Sequence, residues 1–341
     1  MELLGLPVRW PVVGAPMAGG PSTPALAAAV CNAGALGFLA GGYLSAETLA
    51  RDITEARRLG AVVFGVNLFV PGMPPVDEPA LDAYLESLRP EADTLGVDVM
   101  ASWDDDRYHE KVALLVREPV PIVSFTFGCP DRDVVAALRR AGSRVVITVT
   151  TPAEAVAAEV CGADAVCAQG IEAGGHQSAF DDDTAPDTGW GLLALVGAAT
   201  HAVQIPVIAA GGLMTGAAVA AVVRAGAVAA QLGTALLRCP ESGASEVYKS
   251  ALADPAFTGT AITRAFSGRR ARGLLNDFMR AHPDAPSAYP QINNATRALR
   301  RAALARHDPH AINLWAGQGF ALAQERPAAD VITSIGSELD R

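Results

Sequence analysis

Eight short apolar runs, each followed by a stretch of helical composition, constrain this chain more than any other feature. They are residues 12–15, 35–39, 62–68, 121–125, 144–149, 163–168, 207–210 and 227–231. None alternates strictly between apolar and polar residues. A strand covered on one face alternates, whereas a strand covered on both faces reads as a continuous apolar run. The segments 24–32, 46–59, 131–141, 152–160, 191–202 and 215–225 read as helices. Ser45 and Thr151-Pro152 stand where helices begin, and Gly34, Gly60, Gly142, Gly162 and Gly226 stand where they end. Eight such units predict an α/β chain folded as a (β/α)8 TIM barrel. A six-stranded doubly wound sheet competes, but no G-x-G-x-x-G follows the first strand.

The period breaks after the eighth run. Residues 239–306 are expected to form a small helical lobe, inserted after the eighth strand and lying over the C-terminal face of the barrel. The predicted organisation is a barrel over 1–238, a helical substrate-binding lobe over 239–306 and a return to the barrel over 307–341. The proline- and acid-rich segment 68–101 is expected to lengthen the third βα unit. A chain of 341 residues, half of them apolar, can bury a core of this size.

Composition removes several classes of function. A formal net charge of -10 without any Lys/Arg run argues against nucleic acid. No apolar run reaches the ~18 residues that a membrane span needs. No basic segment precedes an apolar run near the start, so no secretory leader is expected. Five cysteines without a C-x-x-C pair suggest reduced thiols in a cytoplasm. Asp181-Asp182-Asp183 lacks a completing Cys/His set, so no metal is expected.

Barrel chemistry sits on the loops after the strands, with phosphate sites favoured after strands seven and eight. Strand seven ends Ala209-Ala210-Gly211-Gly212 and strand eight ends Gln231-Leu232-Gly233-Thr234. Both loops offer backbone N–H groups, and Thr234 adds a hydroxyl, which together predict a phosphate cradle. Ala15, Pro16 and Met17 after strand one are small enough for a flat ring to lie against backbone. Asn67 and Gln169 supply amides at two further strand ends. The sixth strand leads into Gly170-Ile171-Glu172-Ala173-Gly174-Gly175-His176. Gly174 and Gly175 let backbone approach a ligand, and His176 adds a group that titrates near neutral pH. His109, His201, His282, His307 and His310 fall in helical or polar surroundings and read as structural or solvated. A phosphate cradle, two amides and glycine walls suggest FMN, although the glycines alone fit a sugar phosphate equally well.

These motifs resemble the nitronate monooxygenase family, formerly the 2-nitropropane dioxygenases, and its bacterial class I branch in particular. The resemblance runs through Gly14-Ala15-Pro16-Met17, Asn67-Leu68-Phe69, Ser124-Phe125-Thr126-Phe127-Gly128, Gln169 to His176, Ala209 to Gly212 and Gln231 to Thr234. It continues through Phe266 to Gly273 and Trp315-Ala316-Gly317-Gln318-Gly319. It implies an FMN-bound barrel in which His176 is the active-site histidine. Asn67, Gln169, Gly174, Gly211 and Gln231 to Thr234 would contact the flavin. The implied reaction oxidises an alkyl nitronate, typically propionate 3-nitronate, with O2 to an aldehyde or keto acid plus nitrite or nitrate, through a flavin semiquinone. His176 would hold the nitronate by a charge-assisted hydrogen bond. Tyr289 and either Arg297 or the Arg269-Arg270-Arg272 cluster would meet a substrate carboxylate. Asn293 stands where similar proteins often carry a second tyrosine.

Two other readings stay open at this level. One is an FMN-dependent NAD(P)H reductase acting on a quinone or an enoyl thioester. The other is a non-redox phosphate-binding barrel enzyme. A small-molecule substrate is expected in every case, acted on by a monomer or homodimer.

Overall fold

The computed structural model describes residues 1–72, 76–183 and 189–339. Residues 73–75 of the 68–101 segment and the last two of 307–341 lie outside that description. Eight parallel strands form the frame: β1 (Val12–Gly14), β2 (Gly37–Ala40), β3 (Phe64–Phe69), β4 (Ile122–Thr126), β5 (Arg144–Val149), β6 (Ala165–Gln169), β7 (Val207–Ala210) and β8 (Ala229–Leu232). Neighbours in sequence are neighbours in the sheet from β2 to β8, and β8 pairs with β1, setting Gln231 opposite Val13. Gly14 N–H donates to Leu36 O at 2.8 Å and Leu36 N–H to Val12 O at 3.0 Å, which brings β1 against the entry to β2 and closes the barrel.

Alternate residues of each strand enter two separate cores, which is why the runs are apolar throughout. Val13, Leu36, Phe38, Ile122, Val146, Cys167 and Ile208 fill the barrel, and Leu3 and Val8 of the N-terminal hairpin pack beneath them. Val12, Val66, Val123, Ile147, Val166 and Val207 face the helical layer. Fully buried rings such as Phe64 and Phe125 contribute roughly 1.5–3 kcal/mol each by leaving water.

The helices start where their caps direct. Ser45 Oγ accepts from Thr48 N–H. Thr151 forms a reciprocal capping box with Glu154, and Gly162 closes that helix in the left-handed region.

The lobe after β8 is helical only in part. Helices Glu246–Ala251, Asp277–Ala281, Gln291–Ala295 and Arg297–Ala305 surround a hairpin, Thr260–Thr263 with Ala271–Leu274. That hairpin takes Gly175–His176 as a third antiparallel strand, with Ala271 opposite His176. The segment after β3 joins the lobe as well. Leu81, Tyr84, Leu88 and Ala92 share one apolar cluster with Phe266, Phe278, Met279, Ile292 and Leu299. The long third connection therefore reaches the lobe's core.

Candidate active site

A cavity of about 510 Å³ opens between the C-terminal ends of the strands and the lobe. Its barrel side is lined by Ala15, Pro16, Met17, Asn67, Gln169, Gly174, Gly175, Gly211, Gly212, Gln231, Gly233 and Thr234, which brings together most of the residues expected there. Leu232 is fully buried and does not line it; its carbonyl accepts from Ala15 N–H at 2.8 Å and so anchors the loop after β1.

The phosphate cradle has the required local structure. The N–H groups of Gly211, Gly212, Gly233 and Thr234 have no acceptor among the described residues. Thr234 Oγ1 accepts from Gly317 N–H at 3.0 Å, which ties the cradle to the returning chain. Gly211 has φ of 134°, and a Cβ there would stand 3.3 Å from Ala173 N and Gly170 O. Donors without partners in a pocket that excludes side chains fit an anionic group. At Gly174 a Cβ would lie 2.5 Å from Ala316 C and Gly317 N, so only glycine lets the 170–176 loop seat against the 315–319 segment.

The two amides divide their bonds differently. Asn67 Nδ2 donates to Ser124 Oγ and Thr126 Oγ1, both at 3.0 Å, and leaves Oδ1 as its free end. Gln169 spends both ends on the loop that carries the histidine. Its Nε2 donates to His176 O at 3.0 Å, and its Oε1 accepts from Ser178 N–H at 2.8 Å. Glu172 is a support too: its carboxylate accepts from Leu192 N–H at the start of helix Leu192–Ala202.

His176 lines the cavity from the added strand. Its ring is enclosed by Phe127, Tyr289 and Trp315, with ring centres 5.6, 5.7 and 5.6 Å away. Nε2 lies 2.9 Å from Ser267 Oγ. Burial, reinforced by the Arg269 charge, pushes the imidazole down to about 3. The ring is therefore neutral at physiological pH in the ligand-free protein, and the charge-assisted bond expected of it has no standing charge to draw on.

The arginines separate sharply. Arg270 and Arg264 bind the Asp182 carboxylate at 3.2 and 2.9 Å. Arg272 donates to Ile171 O and Thr260 Oγ1. Arg269 donates to Ala179 O and lies 4.1 Å above the Phe127 ring. This cluster is committed to holding the loop and does not line the cavity. Arg297 does line it, at an exposed rim position, with Nη2 donating to Asn294 Oδ1 at 2.7 Å.

Comparison with known proteins decides the family. The model of the nitronate monooxygenase family matches residues 4–338. A nitronate monooxygenase of Pseudomonas aeruginosa is 43% identical over 99% of this chain and 98% of its own. A crystal structure of nitroalkane oxidase from Streptomyces ansochromogenes superposes with a TM-score of 0.95 at 49% identity, covering 98% of this chain and 96% of that one. FabK from Thermotoga maritima superposes with a TM-score of 0.75 at 28% identity, covering 98% and 93%.

The chain belongs to the nitronate monooxygenase family.

It is accordingly a flavin-dependent oxidoreductase on a TIM barrel. Within this nitronate monooxygenase family barrel, Tyr43 is among the cavity-lining side chains that sequence patterns did not single out. Tyr43, two residues beyond β2's neighbour Gly41, holds φ of 67° and projects its ring against Phe69. Its backbone N–H donates to Asp106 Oδ1 at 2.8 Å, and Asp106 is paired with the buried Lys111 at 2.7 Å. Tyr289 stands behind this wall rather than on it, with its hydroxyl 3.4 Å from that of Tyr43. The Gly41-Gly42-Tyr43 turn after strand two was the available signal.

Proposed function

We propose that the protein is an FMN-dependent nitronate monooxygenase that oxidises alkyl nitronates with dioxygen to an aldehyde or keto acid plus nitrite or nitrate. The observation that carries this reading is that His176 and the unpartnered N–H groups of Gly211, Gly212, Gly233 and Thr234 share one cavity. The distance between an anion cradle and a titratable group is spanned by small residues, Ala15 to Met17 and Gly174-Gly175, which suit a planar ring. The phosphate would rest on the two Gly loops, and Asn67 Oδ1 would accept from the ring system. Bound there, FMN supplies the one-electron acceptor chemistry.

The protein's own part centres on His176. Ser267 Oγ donates to Arg269 O at 3.1 Å, so its lone pair receives Nε2–H of the imidazole. Nδ1 is then the bare nitrogen. A neutral nitroalkane gives its carbon-bound proton to Nδ1 and becomes a nitronate beside an imidazolium. A nitronate that enters as an anion reaches the same pair by drawing a proton from solvent onto Nδ1. Both substrates therefore converge on one ion pair, in which the nitronate's negative charge offsets the burial and the Arg269 charge that keep the imidazole neutral without it. Phe127, Tyr289 and Trp315, packed around the imidazole, make its surroundings largely apolar.

The test is to identify the flavin released on denaturation and then add a nitronate or NADH to the yellow protein without oxygen. Bleaching by the nitronate and not by NADH is expected. Release of FAD would overturn the cofactor assignment. Bleaching by NADH alone would favour the NAD(P)H reductase reading.

A further inference from the structure

The cavity wall opposite the strand ends carries a half-buried positive charge that has no carboxylate partner among the described residues. Arg300, on helix Arg297–Ala305, lines the cavity. Its Nη2 donates to Asn293 O at 2.8 Å and Asn293 Oδ1 at 3.1 Å, and its Nη1 to Asn313 Oδ1 at 3.2 Å. Each of those acceptors is a neutral amide oxygen. Nε is buried without a partner. Among the described residues no carboxylate lies within ion-pair distance, in contrast to Arg264 and Arg270, which share Asp182. Arg297 and Arg301 line the same cavity and add like charge.

A guanidinium withdrawn even partly from water, with Nε fully enclosed, is normally matched by a carboxylate, because desolvating an unmatched charge is costly. Burial, opposed only in part by the Tyr43 and Tyr289 phenols and reinforced by the Arg297 charge, pushes Arg300 down to about 10. The guanidinium keeps more donors than its three bonds use. A site of this kind is complete only when an anion enters from the cavity.

We propose that Arg300, cradled by Asn293 and Asn313, anchors a carboxylate at the far end of the substrate and so sets a preference for carboxylated nitronates over uncharged ones. The assignment rests on the nitronate reading above and refines it. Two alternatives for the anchor lose on geometry. The Arg269, Arg270 and Arg272 side chains are committed outside the cavity. Arg297 is exposed at the rim, where solvent weakens an ion pair. Asn293 takes part by orienting the guanidinium, so a tyrosine at that position is not needed for the wall.

The experiment compares the nitronates of 3-nitropropionate and 1-nitropropane, which differ by a carboxylate in place of a methyl group. The wild type should favour the carboxylated substrate in kcat/KM. Arg300→Met should reduce that preference by about 10- to 100-fold, chiefly through KM, as loss of a bond to a charged group implies. Arg300→Lys should restore part of it. Asn313→Asp, which supplies a carboxylate in place, should suppress the preference without removing the arginine, and it serves if Arg300→Met does not fold. Arg297→Gln should change the preference by less than about threefold. An unchanged preference in Arg300→Met and Asn313→Asp, or a selective loss in Arg297→Gln instead, overturns the assignment. Calorimetric binding of succinate separates the two readings. If the wild type oxidises neither nitronate, the functional reading fails. The anchor still stands if Arg300→Met weakens succinate at least about tenfold, and falls if succinate binds both forms alike.

Discussion

His176 Nε2 and Ser267 Oγ lie 2.9 Å apart, and Ser267 Oγ is itself 3.1 Å from Arg269 O. The serine is 1% exposed. Its single proton is used on the carbonyl, so the histidine donates to it and presents Nδ1 unprotonated. Binding of a nitronate anion should then take up a proton from solution near neutral pH. Calorimetry in buffers of different ionisation enthalpy measures that uptake. It should approach one proton per site in the wild type and vanish in His176→Asn. Ser267→Ala frees the other tautomer and should reduce the uptake while retaining flavin. No uptake in the wild type would mean that His176 acts as a neutral donor.

The same histidine should make the fold acid-sensitive. Its pKa is 6.5 ordinarily and about 3 in the folded chain, lowered first by burial and then by Arg269. Below 6.5 the unfolded chain binds a proton that the folded chain does not, so stability falls as the pH drops from 6.5 towards 3. His176→Asn should lose less stability over that interval than the wild type. Denaturant midpoints across the interval provide the check, and parallel curves for the two proteins would refute the assignment.

Gly211→Asp should abolish flavin retention. The substitution places a carboxylate where phosphate is expected and forces a side chain onto φ of 134°, about 1–3 kcal/mol of backbone strain. Flavin absorbance per protein should fall to near zero while far-ultraviolet circular dichroism stays barrel-like. A fully yellow variant would place the cradle elsewhere.

Lys111→Met should destabilise the protein by about 3–5 kcal/mol, because it leaves the mostly buried Asp106 without its partner. Lys111 also donates to Gly41 O at 2.8 Å, and Asp106 accepts from Tyr43 N–H, so the loop that presents Tyr43 should loosen. Adding Asp106→Asn should recover part of the stability. Urea unfolding gives the first effect and KM for a nitronate the second. A double variant no more stable than the single one would show that the pair is not the cause.

The barrel was legible in the sequence because each strand is buried on both faces and several helices carry local start and stop signals. The runs 144–149 and 207–210 match β5 and β7 residue for residue, and the other six shift by at most two residues at either end. The glycine loops after β7 and β8 were legible for a similar reason, since their conformations are a property of a few adjacent residues. What the lobe does was not. Its hairpin borrows Gly175–His176 as a third strand, and a two-residue strand has no periodicity to detect. The neutrality of His176, the commitment of Arg269, Arg270 and Arg272, and the unmatched charge of Arg300 all depend on partners between 88 and 101 residues away or on the absence of one. Local chemistry sets which residues can bond. Only the closed barrel and its lobe, by excluding water from some of those groups and not others, decided which of them do.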